Sequence, residues 1–364
     1  MTTLQDRIAA TLRADVAGMH AYAIQPSDGL IKLDAMENPF SLPPALQAEL
    51  GARLGRAALH RYPQASVAAL AEELTAYVGL RGELEGCRLM LGNGSDELID
   101  LLAVACDKPG ATILSPVPGF VMYAMSAQLK GLNFVGVDLT PDFELDEAAM
   151  LAAIERHRPA ITYIAYPNNP TANLWDDAVI DRIVAAVGAQ QGLVVFDEAY
   201  QPFAAKSRLA SLAQHEHVLV LRTLSKFGLA GVRLGYLCGR RELVDQIDKV
   251  RPPYNVSVLN AECARFALAH ADEYARQAAL IKAERTRVQA ALATLPGLRQ
   301  WPSEANMILV RVPDSASAFA GMKSRGVLVK HVAALHPLLA NCLRLTVGTP
   351  DENDAMIRAL KESL

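Results

Sequence analysis

An α/β architecture, with a mostly parallel sheet covered by helices on both faces, is the fold class this sequence predicts, and three observations predict it. Between about residues 85 and 240, short apolar β-type runs recur: "CRLML", "ATILS", "GLNFVGV", "AITYIAY", "GLVVF" and "VLVLR". The longer intervals carry helical periodicity, as in "DELIDLLAVAC" and "DDAVIDRIVAAVGAQ", and strands alternating with helices build parallel sheets buried on both faces. Third, polar residues and glycines follow directly on several of these runs, where such sheets bind their ligands.

The rest of the chain divides around this region. "RPPYNVS" (Arg251 to Ser257) carries two prolines that forbid a continuous helix. A helical pattern then runs from about Val258 to Leu295, followed by the strand-like "EANMILVRV", "GVLVKHV" and "CLRLTVG". The expected organisation is an N-terminal arm over residues 1–44, a large domain over 45–250 and a small α+β C-terminal domain over 251–364. No internal repeat or low-complexity tract is evident.

Composition narrows the function classes. Hydrophobic residues make up 51% of the 364 and charged residues 20%, with a net charge of −4, as expected of a packed globular chain. The longest basic cluster is the Arg240–Arg241 pair, so no footprint for nucleic acid or an anionic membrane is expected. Cys87, Cys106, Cys238, Cys263 and Cys342 are odd in number and show no C-x-x-C spacing, which argues against a disulfide framework or a zinc site. The eight histidines show no metal-ligand spacing, and His331 is expected on the surface. Asp6, Arg7, Arg13 and Asp15 interrupt any signal-peptide core. No apolar run approaches the ~18 residues of a membrane span, so a soluble cytoplasmic protein is expected.

Four segments could carry chemistry. "GLVVFDEAY" ends an apolar strand in Asp197 and Glu198, and a buried carboxylate there needs a cation or donors to offset desolvation. A P-loop ATPase would also end a strand this way, but the chain has no G-x-x-x-x-G-K-[ST]. A pyridine-type cofactor is the alternative, its ring nitrogen held protonated by Asp197 so that the ring acts as an electron sink. "TLSKFGLAGVRLGY" supplies the lysine such a cofactor requires, Lys226, activated if desolvated beside cations. Thr223 and Ser225 offer hydroxyls, Gly228 and Gly231 allow close backbone approach, and Arg233 can grip a phosphate with two parallel bonds. "LGNGSDELIDLL" places a Gly-rich turn before a helix, whose backbone N–H groups at Ser95 and Asp96 can bind an anion; the Asp96 carboxylate must then turn away. "YPNNPTAN" aims the Asn169 amide over the strand ends, with the residue before Pro170 restricted to extended backbone, and Tyr200 gives a second donor.

In this order "GNGSDE", "YPNNPTAN", "VVFDEAY" and "TLSKFGLAGVRLGY" resemble the fold-type-I pyridoxal-phosphate aminotransferases. With "LDAMENPF", "RYP" and "LRLTVG" the sequence is most similar to their histidinol-phosphate aminotransferase branch, over about residues 20 to 350. The resemblance implies a seven-stranded-type large-domain sheet and pyridoxal 5′-phosphate as cofactor. It implies Lys226 as Schiff-base lysine and proton shuttle, Asp197 on the pyridine nitrogen, and Asn169 and Tyr200 on the ring oxygen. Thr223, Ser225, Arg233 and the Ser95–Asp96 backbone would hold the phosphate. Phe120 would stack on the ring where the branch commonly has tyrosine, and Tyr62 would reach the cofactor phosphate of the neighbouring subunit in a homodimer with shared active sites. Arg344, Lys330 and Tyr22, with Asn169, would bind substrate, Arg344 taking the α-carboxylate of glutamate or the phosphate of histidinol phosphate. Lys330 stands where an arginine is usual, Met36 where an asparagine is frequent, and Ala172 where a glycine is usual, implying a different turn if that glycine's φ is positive.

The implied reaction converts imidazole acetol phosphate and L-glutamate to L-histidinol phosphate and 2-oxoglutarate. Alternatives on the same fold are an aromatic-amino-acid aminotransferase and a phosphothreonine-type decarboxylase. A non-catalytic ligand-sensing module is a further alternative, with no DNA-binding segment to support it.

Overall fold

The computed structural model describes residues 2–19 and 25–364. Two sheets organise them. The larger has seven strands, in the spatial order Cys87–Gly92, Gly235–Arg240, Val218–Thr223, Leu193–Asp197, Ile161–Ala165, Thr112–Val117 and Asn133–Asp138. Gly235–Arg240 runs antiparallel to both neighbours, and the remaining pairings are parallel. The six apolar runs of the sequence all form strands. The seventh strand, "GYLCGR", has two glycines and no β-branched residue, and its propensity does not announce it. It forms because both of its edges are paired and because Gly235 and Gly239 fit where no side chain could. A Cβ on Gly235 would lie 2.7 Å from the Gly94 carbonyl carbon and from the Ser95 nitrogen, and one on Gly239 would lie 2.3 Å from Leu219.

Strand residues alternate between faces, and both faces here are covered. Val194, Phe196, Val218 and Val220 pack with Ile180, Ile183, Val184 and Val187 of the helix Asp177–Ala189. Val195, Leu219 and Leu221 pack on the opposite face with Ile99 and Leu102 of the helix Ser95–Ala105. This parity separates the two acids of "FDEAY". Asp197 continues the Val195 side and Glu198 the Phe196 side. Arg222 shares the side of Val220 and meets Glu198: its Nε and Nη2 donate to Glu198 Oε2 at 2.9 and 2.8 Å. The Ser207 hydroxyl and the Arg208 backbone N–H donate to the same carboxylate. Glu198 is therefore a fully bonded structural anion.

The smaller sheet has five strands, in the order Ile31–Leu33, Val327–His331, Cys342–Thr346, Met307–Arg311 and Arg299–Gln300. Ile31–Leu33 pairs parallel to Val327–Val329, so the segment leading into "DAMENPF" is anchored in this sheet. The helical stretch after Ser257 is two helices, Val258–Ala269 and Ala271–Leu292, parted at His270 (φ −115°, ψ 32°). No proline or glycine marks this break. Tertiary packing imposes it, since the first helix packs on Gln64–Val78 of the larger unit and the second on Pro350–Lys361 beside the smaller sheet. His331 is half-buried rather than on the surface, its ring stacked on Phe319 at 5.6 Å and bonded to the Ser315 hydroxyl at 2.8 Å. Among the described residues, no helix is long and apolar enough to cross a membrane.

Removing one partner of a buried, fully bonded ion pair leaves the other charge stranded. Glu198→Ala is expected to lower unfolding free energy by about 3–5 kcal/mol, read as a lower urea midpoint of the purified protein.

Candidate active site

The parallel strands end together at one edge of the larger sheet, and a cavity of about 340 Å³ opens there, within the size range of small-molecule sites. Ser95, Asp96, Phe120, Asn169, Asp197, Tyr200, Thr223, Ser225, Lys226 and Arg233 all line it. Sequence segments far apart in the chain thus converge on one space.

Lys226 sits on a wide π-type turn, Ser225–Leu229, directly after the strand Val218–Thr223. Its Nζ donates to the Ala35 carbonyl at 3.0 Å and lies 6.0 Å from the Tyr200 ring centroid. Burial, and next the positive charge of Arg344, pull its pKa down to about 8, with Glu37 opposing. Of the two glycines in and just after this turn, Gly231 lines the cavity. Gly228 instead admits the Tyr274 ring and Asn38, 2.8 and 3.0 Å from where a Cβ would stand, at a φ of 138°.

Asp197 is 5% exposed. Its Oδ2 accepts from the Tyr123 hydroxyl at 2.7 Å and its Oδ1 from the Ala199 backbone N–H at 3.0 Å. Burial pushes its pKa up to about 6 in spite of both bonds. Among the described residues no ion pair is formed by Asp197, although its neighbour in sequence has a complete one. Tyr200 is buried, which raises its phenol.

One corner of the cavity gathers hydroxyls, a helix N-terminus and an arginine, groups that can bind an anion. Thr223 Oγ1 donates to the Leu234 carbonyl at 3.1 Å and accepts from the Ser225 N–H at 3.1 Å. Gly94, at φ 85°, turns the chain into the helix Ser95–Ala105, whose first N–H groups lack helical partners. Arg233 Nη1 donates to Ser225 Oγ at 3.4 Å, and its Nη2 pairs with Asp96 Oδ2 at 3.5 Å. The Asp96 carboxylate is thus turned onto the guanidinium. Burial raises its pKa, while Arg233 and Lys226 oppose the rise.

Arg344 reaches the cavity wall through Asn169, Nη1 donating to Asn169 Oδ1 at 2.7 Å, and its Nη2 donates to the Asp34 carbonyl at 2.7 Å. The Asn169–Pro170 peptide bond is cis. Lys330 is not among the residues lining the cavity; it lies directly across the strand pair from Arg344. Tyr62 is outside the cavity and 77% exposed, stacked on Tyr254 with centroids 4.3 Å apart. Tyr22 lies outside the described residues. Ala172 itself adopts positive φ, at 65°, a conformation that costs an alanine roughly 1–2 kcal/mol. The turn holds it there through Ala172 N–H to the Asn168 carbonyl at 2.8 Å and Glu304 N–H to the Ala172 carbonyl at 2.7 Å.

Three contributors escape a reading by motif. Tyr123, the donor to Asp197, closes "PGFVMY" three residues after Phe120, and the two rings meet edge to face at 5.6 Å. Ala35 acts through its carbonyl, which no sequence pattern reveals. Glu37 lines the cavity while its carboxylate accepts from Lys32 at 2.6 Å.

Comparison with known proteins shows the family. Residues 28–360 match the family described as aminotransferase class I and II. The histidinol-phosphate aminotransferase of Methylibium petroleiphilum is 68% identical over 98% of this chain and 96% of its own length. That of Polaromonas naphthalenivorans is 63% identical over 100% and 99%. The structure of histidinol-phosphate aminotransferase from Sinorhizobium meliloti in complex with pyridoxal-5′-phosphate superposes with a TM-score of 0.82, covering 97% of each chain at 24% identity, a likeness of fold. The chain belongs to the class I and II aminotransferases, and within them to the family of histidinol-phosphate aminotransferases.

Proposed function

We propose that this chain transfers the amino group of L-glutamate to imidazole acetol phosphate, giving 2-oxoglutarate and L-histidinol phosphate, with pyridoxal 5′-phosphate as cofactor. The observation that carries this reading is the convergence of Lys226 and Asp197 on one cavity whose wall also joins Asn169 to Arg344. When bound, the cofactor supplies an aldehyde that takes up amines and a ring that, protonated at nitrogen, draws electrons from the adjoining carbon. The residues present fit it. Asp197 is a buried carboxylate with donors but no cation, and a protonated ring nitrogen is the partner it lacks.

In this reading Lys226 Nζ would take the proton from the substrate Cα and return it to the cofactor's aldehyde-derived carbon, on the far side of the nitrogen between them, as general base and then general acid. Desolvation serves that role by lowering the pKa, so that more of the amine is neutral near physiological pH than an ordinary lysine offers. Asn169 and Tyr200 would donate to the ring oxygen, Phe120 would cover the ring face, and Thr223, Ser225, Arg233 and the Ser95–Asp96 backbone would hold the phosphate. Arg344 would bind the glutamate carboxylate in one half-reaction and the substrate phosphate in the other, because its planar fork matches both groups. Lys330 and Tyr22 complete the substrate site in this proposal, Lys330 as a point charge. Tyr62 would reach the cofactor phosphate of a second copy, so that the working unit is a homodimer, in the cytoplasm.

Lys226→Ala is expected to reduce turnover by at least about 10⁴-fold, a typical upper range for a general acid–base, with the thermal midpoint unchanged. The test is a panel of histidinol phosphate, phenylalanine and phosphothreonine, the first two with 2-oxoglutarate. Preference for phenylalanine, or release of carbon dioxide from phosphothreonine, would overturn the substrate assignment.

Lys226 also dictates a pH dependence for the cofactor-free protein. Only the neutral amine attacks an aldehyde, and the pKa near 8 makes roughly a tenth of it neutral at pH 7, far more than an ordinary lysine offers. The rate of pyridoxal-phosphate uptake, followed by absorbance, is expected to rise with pH and level off above about 8. Arg344→Gln is expected to raise KM for both glutamate and histidinol phosphate by about ten- to a hundredfold, the worth of charge-assisted bonds.

A further inference from the structure

A buried tyrosine that no motif assigns touches both the aromatic wall of the cavity and its deepest carboxylate. Tyr123 is 1% exposed. Its hydroxyl donates to Asp197 Oδ2 at 2.7 Å. Its ring lies flat on Tyr163, with centroids 4.2 Å apart and an interplanar angle of 4°, and meets the edge of Phe120 at 5.6 Å. Tyr163 comes from the strand Ile161–Ala165 beside the one that ends in Asp197. The helix Met122–Lys130 carries Tyr123 on its first turn, where Ser126 on the next turn donates to Asp100. Every atom that fixes the hydroxyl is therefore part of the packed sheet and its covering helices.

We propose that Tyr123 is the positioning residue that keeps Asp197 ionised and aimed at the cofactor's ring nitrogen, and that the same ring sets the tilt of Phe120 over the ring face. The proposal rests on the cofactor assignment above. A carboxylate in so dry a place has few ways to keep its charge, and donors to the charged form are one of them. Asp197 has two, and the Ala199 N–H is fixed by the backbone, so Tyr123 is the donor a side-chain change can remove. The other ionisable groups near the carboxylate are Asp96, which opposes its charge from the helix start, Glu198, on the opposite face of the sheet and already matched by Arg222, and the phenols of Tyr163 and Tyr200. Without the tyrosine hydroxyl, Asp197 would be more readily protonated, and a neutral acid gives a protonated pyridine no counter-charge. Tyr123 touches no substrate atom in this account and acts only through Asp197 and Phe120.

The experiment compares wild-type protein and Tyr123→Phe, which keeps the ring stack and deletes the donor. Cofactor-free protein is titrated with pyridoxal 5′-phosphate and, separately, with an analogue in which the ring nitrogen is replaced by C–H. Tyr123→Phe is expected to bind pyridoxal phosphate about tenfold more weakly, as loss of a bond to a charged group implies, and to show kcat lowered by at least as much with KM for glutamate within about twofold. Both proteins are expected to bind the nitrogen-free analogue alike. Equal weakening toward both compounds would mean a merely structural role and would overturn the proposal, as would unchanged pyridoxal-phosphate affinity. A wild-type protein that takes up no pyridoxal phosphate would instead sink the cofactor assignment itself, so the two failures are distinguishable.

Discussion

A carboxylate held dry without a cation is the constraint on which the rest of this structure depends. Asp197 and Glu198 are adjacent, both buried, and solved differently. Because the strand alternates, Glu198 turns toward Arg222 and is satisfied within the chain, whereas Asp197 turns toward the cavity and is given hydrogen bonds only. Asymmetry of this kind is costly in an interior of low dielectric, and a fold optimised for stability alone would fill it. In the proposed reading the protonated ring nitrogen of the cofactor would supply that cation, and a lysine with a lowered pKa, a helix N-terminus and an arginine lie around Asp197 at the same strand ends.

The two sheets meet at this site through a short strap. Ile31–Leu33 is paired in the smaller sheet, and the next residues cross to the larger one. Asp34 offers its carbonyl to Arg344, Ala35 offers its carbonyl to Lys226, and the Met36 carbonyl accepts from Asn306 Nδ2 at 3.0 Å. Met36 stands at φ 52° and is 7% exposed. Backbone carbonyls carry these contacts, so they place no demand on the side chain at position 36. The Met36 side chain then serves as packing beside Leu33 and Tyr200.

Much of this was legible in the sequence, for physical reasons that also explain what was not. Parallel strands buried on both faces must be continuous apolar runs, so all six could be read, together with the helices that share their faces. Residues whose chemistry is expensive to bury, Asp197, Lys226 and Arg233, stood out against such runs and line the cavity. Gly235–Arg240 was not legible, because its strand character comes from neighbours on both edges and from the close approach of Gly94 to Gly235, not from its own residues. Nor was the break at His270, which answers to two different packing surfaces. Tyr123 escaped because an aromatic residue on an amphipathic helix is normally core, and only the geometry shows its hydroxyl on Asp197. The Ala35 carbonyl could not have been found, since every residue has one.

Charges of opposite sign lie close together in the cavity. Lys226 and Arg233 carry or can carry positive charge, Asp96 and Asp197 negative, and Arg344 and Glu37 stand close enough to bias Lys226 in opposite directions. Arg233, which would otherwise face the anion corner alone, is partnered by Asp96 at 3.5 Å. In the proposed reading a phosphate entering that corner would compete with a carboxylate for the guanidinium. The Asp96–Arg233 pair is half-exposed and long, so little would be lost in parting it, while a phosphate would gain helix N–H groups and a two-pronged contact. In that reading the weak internal pair lies at the phosphate end and the acid held only by hydrogen bonds at the ring end, so that a molecule with an anion at one end and a protonated ring nitrogen at the other would match both.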